Sequence, residues 1–168
     1  MCATNILLYI DFKVIYWNTK TIKVKTLFSK LCIASDHAGY QLKEKIKDFL
    51  IKNGVSTIDL GPFDNNSVDY PDYAKKVAKR VLSKKSDIGI LVCGSGTGMA
   101  ITANKYKDIR AAQCFTKKNT LLSRQHNDAN IICLGARMLK GKDAIAFVKY
   151  FITTRFEGGR HLKRIKRI

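Results

Sequence analysis

The sequence of 168 residues contains no apolar run that approaches the roughly 20 residues needed to cross a bilayer, so we expect no membrane-spanning helix. Its five cysteines are odd in number and never occur in a C-x-x-C pair. That pattern disfavours both a disulfide framework and a zinc site. Reduced thiols suit the cytoplasm, and we expect the protein to act there.

Acidic residues are scarce, with 13 Asp and Glu against 31 Lys and Arg, giving a formal net charge of +18. Such a charge can indicate a nucleic-acid-binding protein. However, the lysines are spread along the chain, often on the polar faces of predicted helices, as at Lys43, Lys45 and Lys47. No basic motif is interleaved with aromatic residues. Nucleic acid is therefore disfavoured as the main partner, and the charge is better suited to attracting anionic metabolites.

Residues 1–29 lack the marks of a sorting signal. The apolar stretch at residues 6–10 has neither a basic start nor a small-residue cleavage site, and arginine is absent. Residues 12–17 and 21–28 could form a β-hairpin. An unstructured arm, or sequence upstream of the true start, fits equally well. We therefore predict an amino-terminal extension of uncertain structure at residues 1–29 and one folded domain at residues 30–168.

Short apolar segments alternate with amphipathic segments from residue 31 onward. This alternation predicts an α/β fold, a single-domain, three-layer αβα, Rossmann-like arrangement with a five-stranded parallel sheet. Ligands of such sheets bind outside the carboxyl ends of the strands, which here are followed by Asp36, His37 and the loop at residues 93–98. The predicted strands cover residues 31–34, 55–60, 88–92, 109–113 and 130–134, and the predicted helices cover residues 41–53, 69–81, 99–105, 116–125, 142–153 and 157–164.

The segment Cys93-Gly-Ser-Gly-Thr-Gly98 connects a buried strand to a helix. It matches neither G-x-G-x-x-G nor the Walker loop. A glycine-rich turn at a helix N-terminus leaves amide groups unpaired, and the helix dipole there favours negative charge. A thiol at this position ionises more easily, so Cys93 offers a proton acceptor beside an anion hole. The alternative is a buried, inert cysteine in a tight turn.

Two of only three histidines, His37 and His126, lie in polar loops that follow regular elements. Arg160 and Arg164 are four residues apart, so they project from one helix face and could bind a phosphate. A thiolate that removes a proton next to a carbonyl, amides that stabilise the enediolate, and a histidine at a ring oxygen together describe an aldose–ketose isomerisation. This chemistry requires no cofactor and no metal.

Five motifs, in order from about residue 30 to residue 164, resemble those of ribose-5-phosphate isomerase of the type B group, in the family that also holds the galactose-6-phosphate isomerase subunits. The resemblance implies interconversion of D-ribose 5-phosphate and D-ribulose 5-phosphate. Some family members have a glutamate just after the glycine loop and no cysteine, whereas this chain has Met99 and keeps Cys93. The motifs are Ser35-Asp-His-Ala-Gly39, Asp69-Tyr-Pro71, Cys93-Gly-Ser-Gly-Thr-Gly98, Ser123-Arg-Gln-His-Asn-Asp128 and Glu157-Gly-Gly-Arg-His161.

The resemblance also implies a role for each matched residue. Cys93 is the base, Ser95 lies close to it, and His126 assists opening of the furanose ring. Family members are homodimers or homotetramers, and the neighbouring subunit is expected to supply His126, Asn127 and Arg137. The remaining roles are sugar binding by Asp36 and Tyr70, an anion hole at Gly94, Gly96, Thr97 and Gly98, phosphate binding by His37, Arg137, Arg160 and Arg164, and lining of the site by Asn127.

Three other functions stay open from the sequence. The same chemistry could act on a six-carbon sugar phosphate, such as allose or galactose 6-phosphate. A basic nucleic-acid-binding protein would show binding that weakens strongly with salt. A thiol redox sensor at Cys93 would require a resolving cysteine nearby.

Overall fold

The computed structural model describes residues 24–168 of the chain. The strands are β1 (Leu31–Ser35), β2 (Thr57–Asp59), β3 (Ile88–Cys93), β4 (Ala111–Gln113) and β5 (Ile131–Gly135). The helices are α1 (Tyr40–Lys52), α2 (Tyr70–Leu82), α3 (Thr97–Ala103), α4 (Lys117–Gln125), α5 (Gly141–Thr153) and α6 (Arg160–Ile165). The first arm of the suggested hairpin lies outside the described residues, and residues 24–30 contain no strand.

The five strands form one parallel sheet in the order β2-β1-β3-β5-β4. The predicted αβα fold class is confirmed. The strands β1, β3 and β5 are buried along their whole length, as expected for central strands covered by helices on both faces. The strands β2 and β4 are shorter than predicted because each pairs on one side only, at an edge of the sheet.

Apolar helix faces cover both sides of the sheet. The helices α1 and α5 pack on one face and α2 and α3 on the other. The contact between α2 and β3 is close at Gly89, where a side-chain carbon would collide with Val77 and lie 3.0 Å from Ile131. No helix in residues 24–168 combines the length and the apolarity needed to cross a membrane.

Residues 24–30 pack against the domain at the amino-terminal edge of the sheet. The amide of Leu27 donates to the carbonyl of Ile152 over 3.0 Å, and the amides of Ser29 and Lys30 both donate to the Asp87 carboxylate over 2.9 Å. Phe28 packs against the core. The end of the predicted extension is therefore joined to the fold at the edge opposite the carboxyl ends of the strands.

Lys43, expected to be a solvated surface residue, is instead fully buried. Its ammonium group contacts Asp59 at 2.5 Å and Glu44 at 2.7 Å, and Lys47 also contacts Asp59, at 2.9 Å. A buried charge requires such partners because it has lost its hydration. The helical pattern places Lys43 next to the apolar face of α1, and the carboxylates of Asp59, at the end of β2, and of Glu44 compensate its buried charge.

We expect Asp59→Asn to destabilise the protein by about 3 kcal/mol at neutral pH, because it leaves the Lys43 charge poorly compensated. Burial acts to raise the pKa of Asp59, but hydrogen bonds from Lys43, Lys47 and the Gly61 amide outweigh it and hold that pKa below the ordinary 3.8. The stabilisation is therefore present above the unfolded-state pKa and is lost as the pH falls through the folded-state value.

Urea unfolding at neutral pH and at about pH 3 gives the free energy of unfolding of the wild type and of the variant, and hence the difference between them. The matched control is Asp72→Asn, which removes an exposed ion pair with Lys75 and is expected to change stability by less than about 0.5 kcal/mol. If the loss of stability caused by Asp59→Asn were equally large at acidic pH, the ionised Asp59 carboxylate would not be what stabilises the fold.

Candidate active site

A cleft of about 390 Å³ opens at the carboxyl edge of the sheet, where β1 and β3 lie side by side. This is the point at which the chain, having crossed from β1 to β2, returns past β1 to form β3. Doubly wound sheets bind their ligands at such a point. The cleft is lined by Asp36, His37, Ala38, Tyr70, Cys93, Gly94, Ser95, Gly98, Arg137 and Met138.

Cys93 is the last residue of β3 and is 4% exposed, at the floor of the cleft. Its Sγ accepts a hydrogen bond from the amide of Gly96 over 3.1 Å. The turn that makes this contact possible requires glycine at position 96, where φ is +83°. A hydrogen bond to sulfur stabilises the thiolate, so Cys93 is arranged as a proton acceptor.

The amides of the glycine loop divide into two groups. The Gly96 amide donates to the Cys93 sulfur, and the Thr97 amide donates to the Ser95 hydroxyl over 3.2 Å. Within the described part of the chain, the amides of Gly94 and Ser95 have no hydrogen-bond acceptor. These two amides, rather than the whole loop, are therefore available to bind an anionic oxygen.

The neighbouring strands hold the loop in place. The amide of Arg137 donates to the Gly94 carbonyl over 2.9 Å, and a side-chain carbon on Gly94 would lie 3.4 Å from the Arg137 guanidinium. Arg137 therefore enters the cleft of its own chain, which differs from the expectation that a neighbouring subunit supplies it. Gln113, at the end of β4, donates to the Ser95 carbonyl and to the Thr97 hydroxyl, each over 2.9 Å. Sequence reasoning missed Gln113, although its place at a strand's carboxyl end was a signal.

The other wall of the cleft comes from the residues after β1. One carboxylate oxygen of Asp36 accepts the Gly39 amide over 2.8 Å, leaving the second oxygen free of that contact. His37 Nδ1 lies 3.3 Å from both the amide nitrogen and the carbonyl oxygen of Val68. Both side chains are thus held by backbone groups while they line the cleft.

Tyr70, which the family resemblance implies as a sugar-binding residue, is 40% exposed and lines the cleft. Tyr70 is the first residue of α2, and the buried side of this helix begins only at Ala74. A side-chain carbon on Gly98 would lie 2.8 Å from the Tyr70 ring, so the ring lies directly against the glycine loop.

Six predicted site residues do not line this cleft; two of them, Gly96 and Thr97, belong to the glycine loop beside it, and the other four lie elsewhere in the chain. His126 caps the end of α4, and its ring stacks on that of His161 with centroids 4.1 Å apart and planes 8° apart. Glu157 lies 3.7 Å from His126 Nε2. Sequence reasoning did not connect these two residues to His126, although both belong to one of the five motifs. The four residues are His126, Asn127, Arg160 and Arg164.

The other described cysteines are buried away from the cleft. Burial raises the pKa of Cys32 to about 11, and burial also raises the pKa values of Cys114 and Cys133. All four described cysteines are free thiols. Cys93 is therefore the thiol of residues 24–168 that is placed to react with a ligand.

The fold and the cleft define a doubly wound α/β protein whose small-molecule site joins a thiol to an anion-binding loop. A family model described as ribose/galactose isomerase matches residues 31–168, and the chain belongs to this family. The ribose-5-phosphate isomerase B of Escherichia coli is 40% identical over 139 residues, which cover 83% of this chain and 93% of the relative.

Solved structures give the same result. A ribose 5-phosphate isomerase from Thermotoga maritima superposes with a TM-score of 0.82 at 48% identity, covering 83% of this chain and 96% of that one. The ribose-5-phosphate isomerase B of Mycoplasma genitalium, solved with bound ribulose-5-phosphate, has a TM-score of 0.78 at 41% identity, covering 82% and 92%.

We expect a small alkylating reagent to modify Cys93 of the native protein well before Cys32, Cys114 or Cys133, since those three thiols are buried and hard to ionise. Mass spectrometry of peptides after timed exposure to iodoacetamide gives the rate for each site. Denatured protein serves as the control, because there all sites should react at similar rates. Equal rates in the native protein would show that Cys93 is not accessible from the cleft.

Proposed function

We propose that this protein interconverts D-ribose 5-phosphate and D-ribulose 5-phosphate, an aldose–ketose isomerisation of the non-oxidative pentose phosphate pathway, in the cytoplasm. The observation that carries the proposal is the Cys93 thiol at the floor of a cleft whose wall offers two free amides. Family membership and the sugar phosphate named in the Mycoplasma genitalium structure support the same substrate.

The chemical step moves one proton between neighbouring carbons. The Cys93 thiolate removes the proton from C2 of the open-chain aldose, and the electron pair shifts to give an enediolate with its negative charge on the oxygens. The amides of Gly94 and Ser95 stabilise that charge. The proton of the C2 hydroxyl moves to the C1 oxygen, so that the charge comes to lie on the C2 oxygen. The thiol then returns its proton to C1, which yields the ketose with its carbonyl at C2 and regenerates the thiolate.

Substrate binding uses the two ends of the sugar phosphate. Asp36 and Tyr70 face the cleft and hold sugar hydroxyls or the ring oxygen. The phosphate is bound by cationic groups, of which His37 and Arg137 belong to the same cleft. The loop residues Gly96, Thr97 and Gly98 shape the wall, because Gly98 leaves room for the Tyr70 ring.

The residues outside the cleft form a second half of the site, which a neighbouring copy supplies in a homodimer or homotetramer. His126 and Asn127 approach the cleft of the partner, where His126 assists ring opening. The stack of His126 on His161 places α6 beside His126, so Arg160 and Arg164 belong to the same half. A complete site therefore combines the Cys93 half of one chain with the His126 half of another.

Replacing Cys93 by alanine removes the base, so we expect isomerisation of ribose 5-phosphate to fall by a factor of at least about 10² to 10⁴. The fold and the oligomer are expected to remain intact, which circular dichroism and light scattering check. The wild type is compared on ribose 5-phosphate, allose 6-phosphate and galactose 6-phosphate, with the highest kcat/KM expected for the five-carbon substrate. Full activity in Cys93→Ala would refute the assigned base.

Mixing two inactive variants tests the shared site. In a random mixture of Cys93→Ala and His126→Asn dimers, half of the dimers are mixed, and each mixed dimer has one intact site, so about one quarter of wild-type activity should return. His126→Asn mixed with Arg160→Ala is the control, and it should show no recovery because both changes fall in the same half. Recovery in the control, or none in the first mixture, would contradict this division of the site.

A further inference from the structure

His161, the third histidine of the chain, is the buried partner in an aromatic stack. Its ring lies parallel to that of His126, with centroids 4.1 Å apart and an angle of 8° between planes. His161 is 7% exposed, whereas the side chain of His126 is 36% exposed. One face of the exposed imidazole therefore rests on a ring that the fold holds in place.

The segment that carries His161 is attached to the end of α4. The amide of Glu157 donates to the carbonyl of Gln125 over 3.0 Å, and the amide of His161 donates to the carbonyl of Gly158 over 3.0 Å. The Glu157 carboxylate lies 3.7 Å from Nε2 of His126. The first contact joins the segment to α4, and the second closes the turn that brings the His161 ring beside His126.

The stack is better suited to orienting a ring than to binding a metal. The donor atoms of His126, Glu157 and His161 lie within 4.8 Å of one another. However, a metal ion lies near the plane of each imidazole that binds it, and two nearly parallel planes share no such point. One ring would have to turn out of the stack before both could bind one ion.

The surroundings of the pair disfavour the protonated form of the His161 ring. Burial lowers the pKa of the His161 imidazole, and the charge of His126 lowers it further. Arg160 and Arg164 act in the same direction, while the Glu157 carboxylate opposes them.

We propose that His161 is a positioning residue for ring opening, whose buried ring holds the imidazole of His126 in one orientation. This inference rests on the proposed isomerase function. The nitrogens at the edge of the His126 ring stay accessible while its face is supported. The role predicts a defect confined to ring opening, because proton transfer between C1 and C2 uses Cys93 in the other half of the site.

Two reactions separate these steps. Isomerisation of ribose 5-phosphate begins with a closed furanose, and its rate includes ring opening. Ribulose 5-phosphate is open-chain because its 5-hydroxyl is esterified, so exchange of its C1 hydrogen with deuterium from solvent reports enediolate formation alone. Both rates are measured by NMR in D₂O on the same enzyme preparation.

His161→Leu and His161→Phe form a matched pair, since both fill the buried space and only phenylalanine keeps a flat ring. We expect His161→Leu to lower kcat for ribose 5-phosphate about tenfold or more, with KM and the exchange rate within about twofold of the wild type. His161→Phe should retain most of the activity in both assays. Leu162→Ala, on the exposed side of the same helix, is the control for damage to α6.

Equal isomerisation rates for the leucine and phenylalanine variants would overturn the proposal, as would a parallel loss of exchange and isomerisation. If the wild type catalyses neither reaction, the proposed function itself fails, and that result differs from a failure of the positioning role.

Discussion

The pairing of β1 with β3 is the constraint on which the site depends. Five residue pairs in register bring the ends of the two strands to the same edge, so Asp36 lies beside the loop that follows Cys93. The approach is so close that a side chain at Gly39 would collide with the carbonyl of Val92. The same carbonyl accepts the amide of Asp36 over 3.1 Å, which fixes the start of the first loop. Every cleft residue contributed by that loop takes its place from this contact.

The glycine loop is a rigid turn rather than a flexible connection. Its backbone is joined to β5 through Ala136, whose amide donates to the Cys93 carbonyl over 2.8 Å, and to the end of β4 through Gln113. A side-chain carbon on Gly135 would lie 2.5 Å from the carbonyl oxygen of Ser95, which leaves the loop little room to move. The two amides without an acceptor, those of Gly94 and Ser95, are consequently held in place before any ligand arrives, and preorganised donors of this kind are the effective ones in catalysis.

The sequence predicted the central strands to within one residue, because strands buried on both faces read as uninterrupted apolar runs. The edge strands were predicted too long, since flanking apolar residues such as Val55 and Ile109 pack in the core without belonging to the ladder. The start of the last helix was placed too early, because Gly158 and Gly159 adopt positive φ and keep residues 157–159 out of the helix.

The residues of the candidate site also fall into two groups, those that the sequence could locate and those that it could not. Residues next to strand ends, such as Cys93 and His37, could be located from topology alone. The burial of Lys43 and the stack of His161 on His126 could not, since both depend on partners distant in sequence whose approach only the folded chain defines. The contact of the Tyr70 ring with Gly98 could not be derived from the sequence either, since it depends on how the start of α2 meets the glycine loop.

The depth of Cys93 also bears on inhibition. The sulfur lies at the floor of the cleft, with the Arg137 guanidinium over Gly94 on one side and the Tyr70 ring over Gly98 on another. A covalent inhibitor directed at this thiol must therefore carry only small groups next to its electrophilic atom, whatever its reactivity.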